Sequence, residues 1–300
     1  MMDDRIATPF HAGELQAQRL AGSAPGAAPI RARMPEQHRA FFPLLPFVCL
    51  ALADADGWPL ATLVQGPPGF ASAPDAARLE VAALPPPDDP VRARLIEGAP
   101  AGLLGIDLGT RRRNRLNGIV AQVRADGFAV DVVQSFGNCP RYIEVRKLAP
   151  AARTPGPVTA FGPALPARAR ELLAASSTLF VASASGAAAQ GPAAGLDISH
   201  RGGPPGFARL DGEVLTVPDY NGNRYFNTLG NFIAEPRAAI VLADFASGDL
   251  LQLQGVVSIE WSAADPDQSP PVERLWRFRI TRGLLREGAF GLASEMAQRP

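Results

Sequence analysis

The sequence predicts a mainly β protein with flanking helices, in which one small barrel occurs twice. Short apolar segments are separated by tight turns, as in the strands of an antiparallel barrel. Neither GxGxxG nor GxxxxGK[ST] is present, so a parallel nucleotide-binding sheet lacks its sequence signal. The pentapeptide Gly-Pro-Pro-Gly-Phe at residues 66–70 recurs at residues 203–207, at an offset of 137 residues (203 − 66 = 137).

Two further segment pairs share this offset. Residues 101–107 align with residues 238–244, and residues 114–118 align with residues 251–255. Three anchors at one offset indicate an internal duplication. Two copies of one barrel are expected to pack about a pseudo-two-fold axis as an intrachain pseudo-dimer, in the way that a C2 homodimer does. A homodimer, and pairing of barrels between chains, stay open at this point.

The first half of the chain is predicted to contain an arm and one barrel. Residues 1–40 form an N-terminal helical arm with helices at 13–21 and 34–42, and residues 41–148 form the first barrel copy. The strands of this copy are predicted at 47–53, 58–65, 78–84, 101–107, 114–124 and 128–135, and its helices at 88–98 and 138–148.

The second barrel copy is predicted for residues 164–300, after a linker. Residues 149–163 are rich in Pro, Gly and Ala and have no apolar period, which is typical of a linker. The second copy is predicted to have helices at 165–176 and 224–235 and strands at 178–184, 195–199, 214–218, 237–244, 250–261 and 274–281.

Composition narrows the function classes. Lys plus Arg and Asp plus Glu both number 29, so no basic field favours nucleic acid or an anionic membrane as a partner. No apolar run approaches the ~18 residues of a membrane span, and we expect a cytoplasmic protein. Cys49 and Cys139 lack the spacing of a disulfide framework or a zinc site, so no metal is expected.

The segment from residue 199 to 231, here called the cradle segment, has the side chains of an anion site. Arg224 can donate a bidentate pair of hydrogen bonds, and hydroxyl and amide groups can add neutral donors. These further donors are Thr228, Asn223, Asn227 and Asn231. Helical periodicity over residues 224–235 predicts that they lie on the first turns of a helix, where free N–H groups favour negative charge. A capped surface helix after a Gly-Asn turn is the alternative.

The two copies differ in their polar side chains. At the offset of 137, Arg224 aligns with Pro87 and Thr228 aligns with Val91, so the first copy lacks the donors of the cradle segment. Conversely, the arginines of the first copy have no counterpart in the second, since Arg112 aligns with Asp249 and Arg113 with Leu250. We therefore predict one complete site per chain, with the cradle from the second copy and the opposing wall from the first. Independent drift of two structural repeats is the alternative.

Four motifs carry a family resemblance. They are SHRGGPPGF (residues 199–207) and PDYNGNRYFNTLGN (218–231) in the second copy, and GIDLGTRRRNRLNG (105–118) and SFGNCPRYI (135–143) in the first. Through them, residues 40–290 resemble the pyridoxamine 5′-phosphate oxidase-related, FMN-binding split-barrel family. The resemblance implies a tandem split β-barrel that holds FMN between its two barrels, with the FMN phosphate on the Arg, hydroxyl and amide groups of the cradle segment.

The resemblance also implies further cofactor contacts. The flavin ring would lie along the strand of Phe207, Ala208, Arg209 and Leu210. A positive charge near N1–C2=O would stabilise the reduced flavin, and Arg209, Arg112 or Arg113 could supply it. Ser199 and Arg201 would add phosphate or ribityl contacts. A solvated turn is the alternative role of the triple arginine at residues 111–113.

Three functions are compatible with the sequence. The first is an FMN-dependent oxidoreductase that acts on an unidentified small molecule, with NAD(P)H or a redox partner protein as a candidate electron donor. The second is a non-catalytic flavin-binding module or carrier for a redox partner. The third is a barrel that has lost the cofactor. No catalytic residue is assigned, because flavin hydride chemistry needs no protein acid or base. The roles of Cys139 and His200 are open.

Overall fold

The computed structural model describes residues 4–23 and 28–294. The remaining ends of the predicted arm and second copy, and the middle of the arm, lie outside this part. The described chain is mainly β, with two large, curled antiparallel sheets and few helices.

The first sheet has seven strands in the order β2-β1-β5-β6-β7-β4-β3. Its strands are β1 (Phe47–Ala53), β2 (Pro59–Gln65), β3 (Ala71–Ser72), β4 (Arg78–Val81), β5 (Pro100–Asp107), β6 (Arg112–Val123) and β7 (Phe128–Gly137). Two strands lie between the large sheets, β8 (Leu148–Pro150) and β9 (Val158–Phe161).

The second sheet follows the same path, β11-β10-β14-β15-β16-β13-β12, with β9 added to β16. Its strands are β10 (Thr178–Ala184), β11 (Leu196–Gly202), β12 (Arg209–Asp211), β13 (Val214–Tyr220), β14 (Arg237–Ala243), β15 (Leu250–Glu260) and β16 (Val272–Arg286). The last strand, β17 (Leu292–Ser294), pairs with β8.

The two sheets also agree in strand register. Leu103 pairs with Leu116 between β5 and β6, and Ile240 pairs with Leu253 between β14 and β15, so both members are shifted by 137 residues. The register of β6 with β7 shifts at Gly118, and that of β15 with β16 shifts at Gly255. A Cβ atom at Gly118 would lie 2.1 Å from a carbonyl oxygen, and one at Gly255 would lie 2.3 Å from one, so both bulges require glycine.

The helices depart from the predictions more than the strands do. They are α1 (Ala12–Leu20), α2 (Glu36–Arg39), α3 (Ala167–Ala175) and α4 (Asn227–Ala234). The predicted helix at 88–98 is wrong, since only the 3₁₀ turn Arg92–Arg94 forms there. Asp89 closes a short turn there instead, because its Oδ1 accepts from the Val91 N–H and its carbonyl oxygen accepts from the Arg92 N–H, both at 2.9 Å.

A second predicted helix is also wrong. The predicted helix at 138–148 does not form, and the segment contains Tyr142 in the left-handed region at φ 62°. Cys139 therefore does not lie at a helix N-terminus. The segment predicted as a linker, residues 149–163, contains β9, which extends the second sheet, and the end of β8.

An apolar cluster joins the two sheets. Its side chains come from β1, β2 and β5 on one side and from β10, β11 and β14 on the other. Phe47 lies at its centre, with ring centroids 6.2 Å from Phe180 and 5.6 Å from Phe290. This packing holds β11 against the first sheet, which brings the cradle segment to the boundary between the two halves.

Candidate functional site

A cavity of about 100 Å³ lies between the two halves. The second half contributes the ends of β11 and β13, the loop at 221–226 and the first turn of α4. The first half contributes Arg113 and Arg115 of β6 and the irregular segment at 138–142. The close approach of the halves depends on Gly102 of β5, where a Cβ atom would lie 2.9 Å from the Cα of Asp197.

Six of the arginines that the structure describes line the cavity. Arg141 and Arg224 are exposed, and the other four fall into two groups. Arg115 and Arg274 are neutralised, since Arg115 Nη1 lies 2.6 Å from Asp197 Oδ2 and Arg274 Nη1 lies 2.6 Å from Asp219 Oδ2. Arg113 and Arg201 have no carboxylate within 4 Å in the part of the chain that the structure describes. Burial lowers the pKa of Arg201 and the charge of Asp219 raises it, but neither arginine is paired directly, and two such cations in one cavity favour an anionic ligand.

The pKa values of these two arginines respond to their surroundings. Burial, then the charges of Arg115 and Arg201, lowers the pKa of Arg113 to about 9. Burial also lowers the pKa of Arg201, whose Nε atom has no hydrogen-bond partner among the described residues. An anion bound between them would supply the missing counter-charge and raise both pKa values.

His200 supplies a neutral donor to the same cavity. Its side chain is buried, and its Nδ1 lies 3.1 Å from Arg113 Nη1. A guanidinium group only donates, so Nδ1 is the acceptor and the proton resides on Nε2. Nε2 has no partner among the described residues. Burial, followed by the charges of Arg113 and Arg201, lowers the pKa of His200 well below its usual value, which keeps the ring neutral.

The first turn of α4 forms another wall. Arg224 and Phe226 both have φ 60°, so the helix begins at Asn227 and not at Arg224 as predicted. No side chain caps this N-terminus. Free first-turn amides favour an anion. Thr228 bonds through its hydroxyl to Ser199 Oγ at 2.8 Å, which ties α4 to β11.

The N-terminal helix α1 supports α4 from behind. Asn227 donates to the carboxylate of Glu14, and Asn231 Oδ1 lies 2.8 Å from His11 Nε2. Asn231 also donates to Ser183 Oγ at 2.9 Å, so its amide group is occupied by structural contacts. The arm therefore positions the helix whose first turn lines the cavity.

We predict that Glu14 makes stability fall as the pH rises. Burial is the largest cause that raises the pKa of Glu14 to about 8, from 4.5. The folded state thus keeps a proton that the unfolded state loses above pH 4.5, and the stabilisation is lost as the pH rises towards 8. Burial also lowers the pKa values of His11 and His38, which opposes this trend only below about pH 6.5.

The effect of Glu14 on stability is therefore best measured between pH 6.5 and 8, where His11 and His38 do not oppose it. There the free energy of unfolding of the native protein should fall by about 2 kcal/mol, or up to about 1.4 kcal/mol per pH unit. Urea unfolding at both pH values should give a flat profile for Glu14→Gln. Glu36→Gln, whose side chain is 80% exposed, is the control and should retain the native slope. Equal slopes in Glu14→Gln and the native protein would contradict the prediction.

The structure brings together six of the residues that the sequence predicts. The residues that line the cavity are Arg113, Arg201, Asn223, Arg224, Asn227 and Thr228. Arg224 lies at the rim, with its side chain 53% exposed and 3.8 Å from Glu273 Oε1. Ser199 and Asn231 lie behind α4, in contact with the cavity wall and not with the cavity.

Five predicted residues lie away from the cavity lining. Arg112 is exposed and covers the ring of Phe41 at 4.7 Å. Phe207 and Ala208 are buried in the core of the second half. Arg209 and Leu210 belong to the edge strand β12. The predicted ring-binding strand thus does not line this cavity.

Several residues that line the cavity were not predicted from the sequence. Arg115 follows Arg113 by two residues, so both side chains lie on one face of β6, and this alternation is a signal that could have found it. Tyr142 and Tyr220 come from different halves and have ring centroids 4.9 Å apart. Only the tertiary fold brings these rings together.

The comparisons with known proteins give no family. No family model matches the chain. No curated protein matches it either. Among the described residues, no helix is long and apolar enough to cross a membrane, and no group of three or more His, Cys, Asp or Glu side chains is arranged to hold a metal ion.

Solved structures of flavin- and heme-related proteins show limited similarity. A proposed pyridoxamine 5′-phosphate oxidase from Lactobacillus delbrueckii is 16% identical with a TM-score of 0.28, over 35% of this chain and 94% of its own. An FAD-binding protein from Mesorhizobium loti is 11% identical, and HutZ, the heme storage protein from Vibrio cholerae, is 14% identical. Both have a TM-score of 0.27, over 43% of this chain and 97% of theirs. These TM-scores are all below 0.5 and do not establish a shared family.

Proposed function

We propose that the cavity binds the phosphate of FMN and that the chain is an FMN-dependent oxidoreductase of the pyridoxamine 5′-phosphate oxidase type, acting on a small molecule. The observation that carries this proposal is the group formed by Arg113, Arg201 and His200 Nε2. All three residues line the cavity, and none forms an ion pair within 4 Å among the described residues, although the charge of Asp219 acts on Arg201.

The chemistry of the lining fits a phosphate monoester. Such a group needs delocalised cations and several neutral donors. Arg113 and Arg201 provide the cations, while His200 Nε2 and the first-turn amides of α4 provide neutral donors. Pockets that hold a whole ligand have volumes of about 300–1,000 Å³. The cavity of about 100 Å³ therefore fits the phosphate end of the cofactor and not its three-ring system.

The proposal includes the origin of the two halves. One barrel was duplicated to give copies at residues 41–148 and 164–300, joined by residues 149–163 and preceded by the arm at 1–40. The shared strand order and the glycine bulges at Gly118 and Gly255 support this duplication. The copies then form an intrachain pseudo-dimer with one flavin site.

When bound, FMN supplies the hydride-transfer chemistry. The residues of the chain hold the phosphate, keep His200 as a neutral donor and neutralise charge with Arg113 and Arg201. NAD(P)H or a redox partner protein is the proposed source of electrons. The alternative is a non-catalytic flavin-binding module or carrier for a redox partner.

We expect Arg201→Met to weaken FMN binding by about 10–100-fold, because each hydrogen bond to a charged group contributes about 1.5–3 kcal/mol. The measurement is a fluorescence titration of the apoprotein with FMN. Arg277→Met, on an exposed arginine of β16, is the control and should bind as the native protein does. Arg209→Met tests the ring assignment, and unchanged affinity would exclude Arg209 from the site.

The outcomes separate the three functions. Native protein that does not bind FMN, or an Arg201→Met variant of native affinity, would reject the phosphate assignment. Bound flavin that NAD(P)H bleaches would favour the oxidoreductase. Bound flavin that stays oxidised with NADH and NADPH would favour the carrier.

A further inference from the structure

Asp89 is a buried carboxylate in a complete set of donors. Its side chain is inaccessible to solvent. Oδ2 accepts from Thr62 Oγ1 at 2.5 Å and from Arg286 Nη1 at 3.0 Å, and Oδ1 accepts from the backbone N–H of Val91 at 2.9 Å. Gln252 Nε2 lies 3.4 Å from both carboxylate oxygens. These five residues are called the Asp89 nest.

The donors of the Asp89 nest are of the kinds that bind a free oxyanion. They are a guanidinium, a hydroxyl, a side-chain amide and a backbone N–H at the start of a short helical turn. The cavity between the halves combines the same kinds of groups. In the Asp89 nest, however, the anion belongs to the chain itself.

The repeat relates the Asp89 nest to the cavity. At the offset of 137 residues, Thr62 corresponds to Ser199, and Gln252 corresponds to Arg115. The strands that carry them pack alike, since β11 contacts β5 and β6 while β2 contacts β14 and β15. The registers of β7 and β16 extend this match. Gly137 on β7 pairs with Asn114, and Leu285 on β16 pairs with Leu251, which corresponds to Asn114 at the same offset. Arg286, the residue after Leu285, therefore corresponds to Asn138, the residue after Gly137.

Arg113, Arg201 and the neutral donor His200 have no counterparts near the Asp89 nest. At the same offset, apolar residues replace them: Leu250 for Arg113, Leu63 for His200 and Val64 for Arg201. All three replacements are buried in apolar clusters. The remaining cation, Arg286, is only 2% exposed and is paired with Asp88 and Asp89.

We infer that the Asp89 nest is a second anion site, equivalent to the cavity by pseudo-two-fold symmetry, and that the carboxylate of Asp89 fills it permanently. A chain with this arrangement binds one phosphorylated ligand and not two. The number of phosphorylated ligands, one per chain, rests on the proposed function. The assignment of a second anion site that Asp89 fills does not depend on it.

Removal of the internal anion provides the test. Asp89→Ala removes the acceptor that Arg286, Thr62 and Gln252 share and leaves space for a small carboxylate. Asp88 still accepts from Arg286, and the Ala61 carbonyl oxygen still accepts from Gln252. We expect Tm to fall by about 10 °C in sodium chloride. Sodium formate at the same ionic strength should restore most of this loss, because formate supplies the missing carboxylate. Asp88→Ala is the matched control. Asp88 also pairs with Arg286, but its side chain is 46% exposed, so formate should not change its Tm beyond the effect on native protein.

A variant too unstable to purify still gives an answer. Asp89→Ala can be refolded from urea in formate and in chloride, and a higher folded yield in formate supports the inference. A variant that stays unfolded in both salts, or that is destabilised without a formate-specific recovery, overturns it.

Titration of FMN into native protein tests the count. One FMN per chain, lost in Arg201→Met, supports the inference, and two per chain overturns it. Formate recovery in Asp89→Ala without any FMN binding would retain the second anion site and reject the proposed function. FMN binding that depends on Arg201, without formate recovery in Asp89→Ala, would support the proposed function and reject the second anion site.

Discussion

Asp197→Ala is expected to destabilise the protein by about 3–5 kcal/mol. Asp197 lies on β11 of the second half and accepts from Arg115 on β6 of the first, at 2.6 Å. The side chains are only 5% and 8% exposed, so the variant leaves a guanidinium buried without its counter-ion. Chemical denaturation at neutral pH measures the loss.

The correspondence between the two sheets at an offset of 137 residues suggests a rescue. Leu60 and Gln252 occupy the positions that correspond to Asp197 and Arg115. The double variant Asp197→Leu/Arg115→Gln should therefore recover most of the stability that Asp197→Ala loses. Asp131→Ala removes an exposed ion pair and should cost less than about 1 kcal/mol. If Asp197→Ala costs no more than Asp131→Ala, the buried pair does not hold the halves together.

Gly230→Ala is expected to destabilise the protein by about 3 kcal/mol through the contact between α1 and α4. A Cβ atom at Gly230 would lie 2.4 Å from the Cα of Glu14, and backbone cannot yield as a flexible side chain can. The reciprocal contact is equally close, since a Cβ atom at Gly13 would lie 2.3 Å from the Gly230 carbonyl oxygen. The variant should therefore displace α1 from α4.

Hydrogen exchange can localise this effect. Amides of α1 in Gly230→Ala should lose protection, while those of β14 and β15 keep it. Gly162→Ala is the control, because a Cβ atom there meets no other group within 4 Å. Native protection of α1 in Gly230→Ala would show that the contact accommodates the added methyl group without displacing α1, and would contradict the prediction.

The strands of the two large sheets could be predicted from the sequence because their apolar patterns are regular. The predictions for β6 and β15 agree with the structure to within a few residues. The helices were harder to predict, since the tertiary structure determines where each helix begins and ends. Arg224 and Phe226 adopt a left-handed backbone that non-glycine residues rarely take, and no compositional signal marks it.

The candidate site was predictable only where it lies within one segment. The cradle segment contains Asn227 and Thr228, which do line the cavity. The role of His200 could not be predicted from its own segment, because it depends on a contact with Arg113, which is 87 residues earlier in the chain. That contact places the proton of His200 on Nε2. The ring assignment to residues 207–210 depended on resemblance, and the structure buries the first two of these residues in a core.

The strand β9 has a practical consequence for dissecting the molecule. It precedes the proposed start of the second copy, yet it pairs with β16 from Gly283 to Arg286. A fragment that began at residue 164 would leave this stretch of β16 as an uncovered edge, open to pairing with another molecule. A fragment that begins ahead of Val158 keeps the edge covered, so an expression boundary there is the better choice for obtaining the second copy in monomeric form.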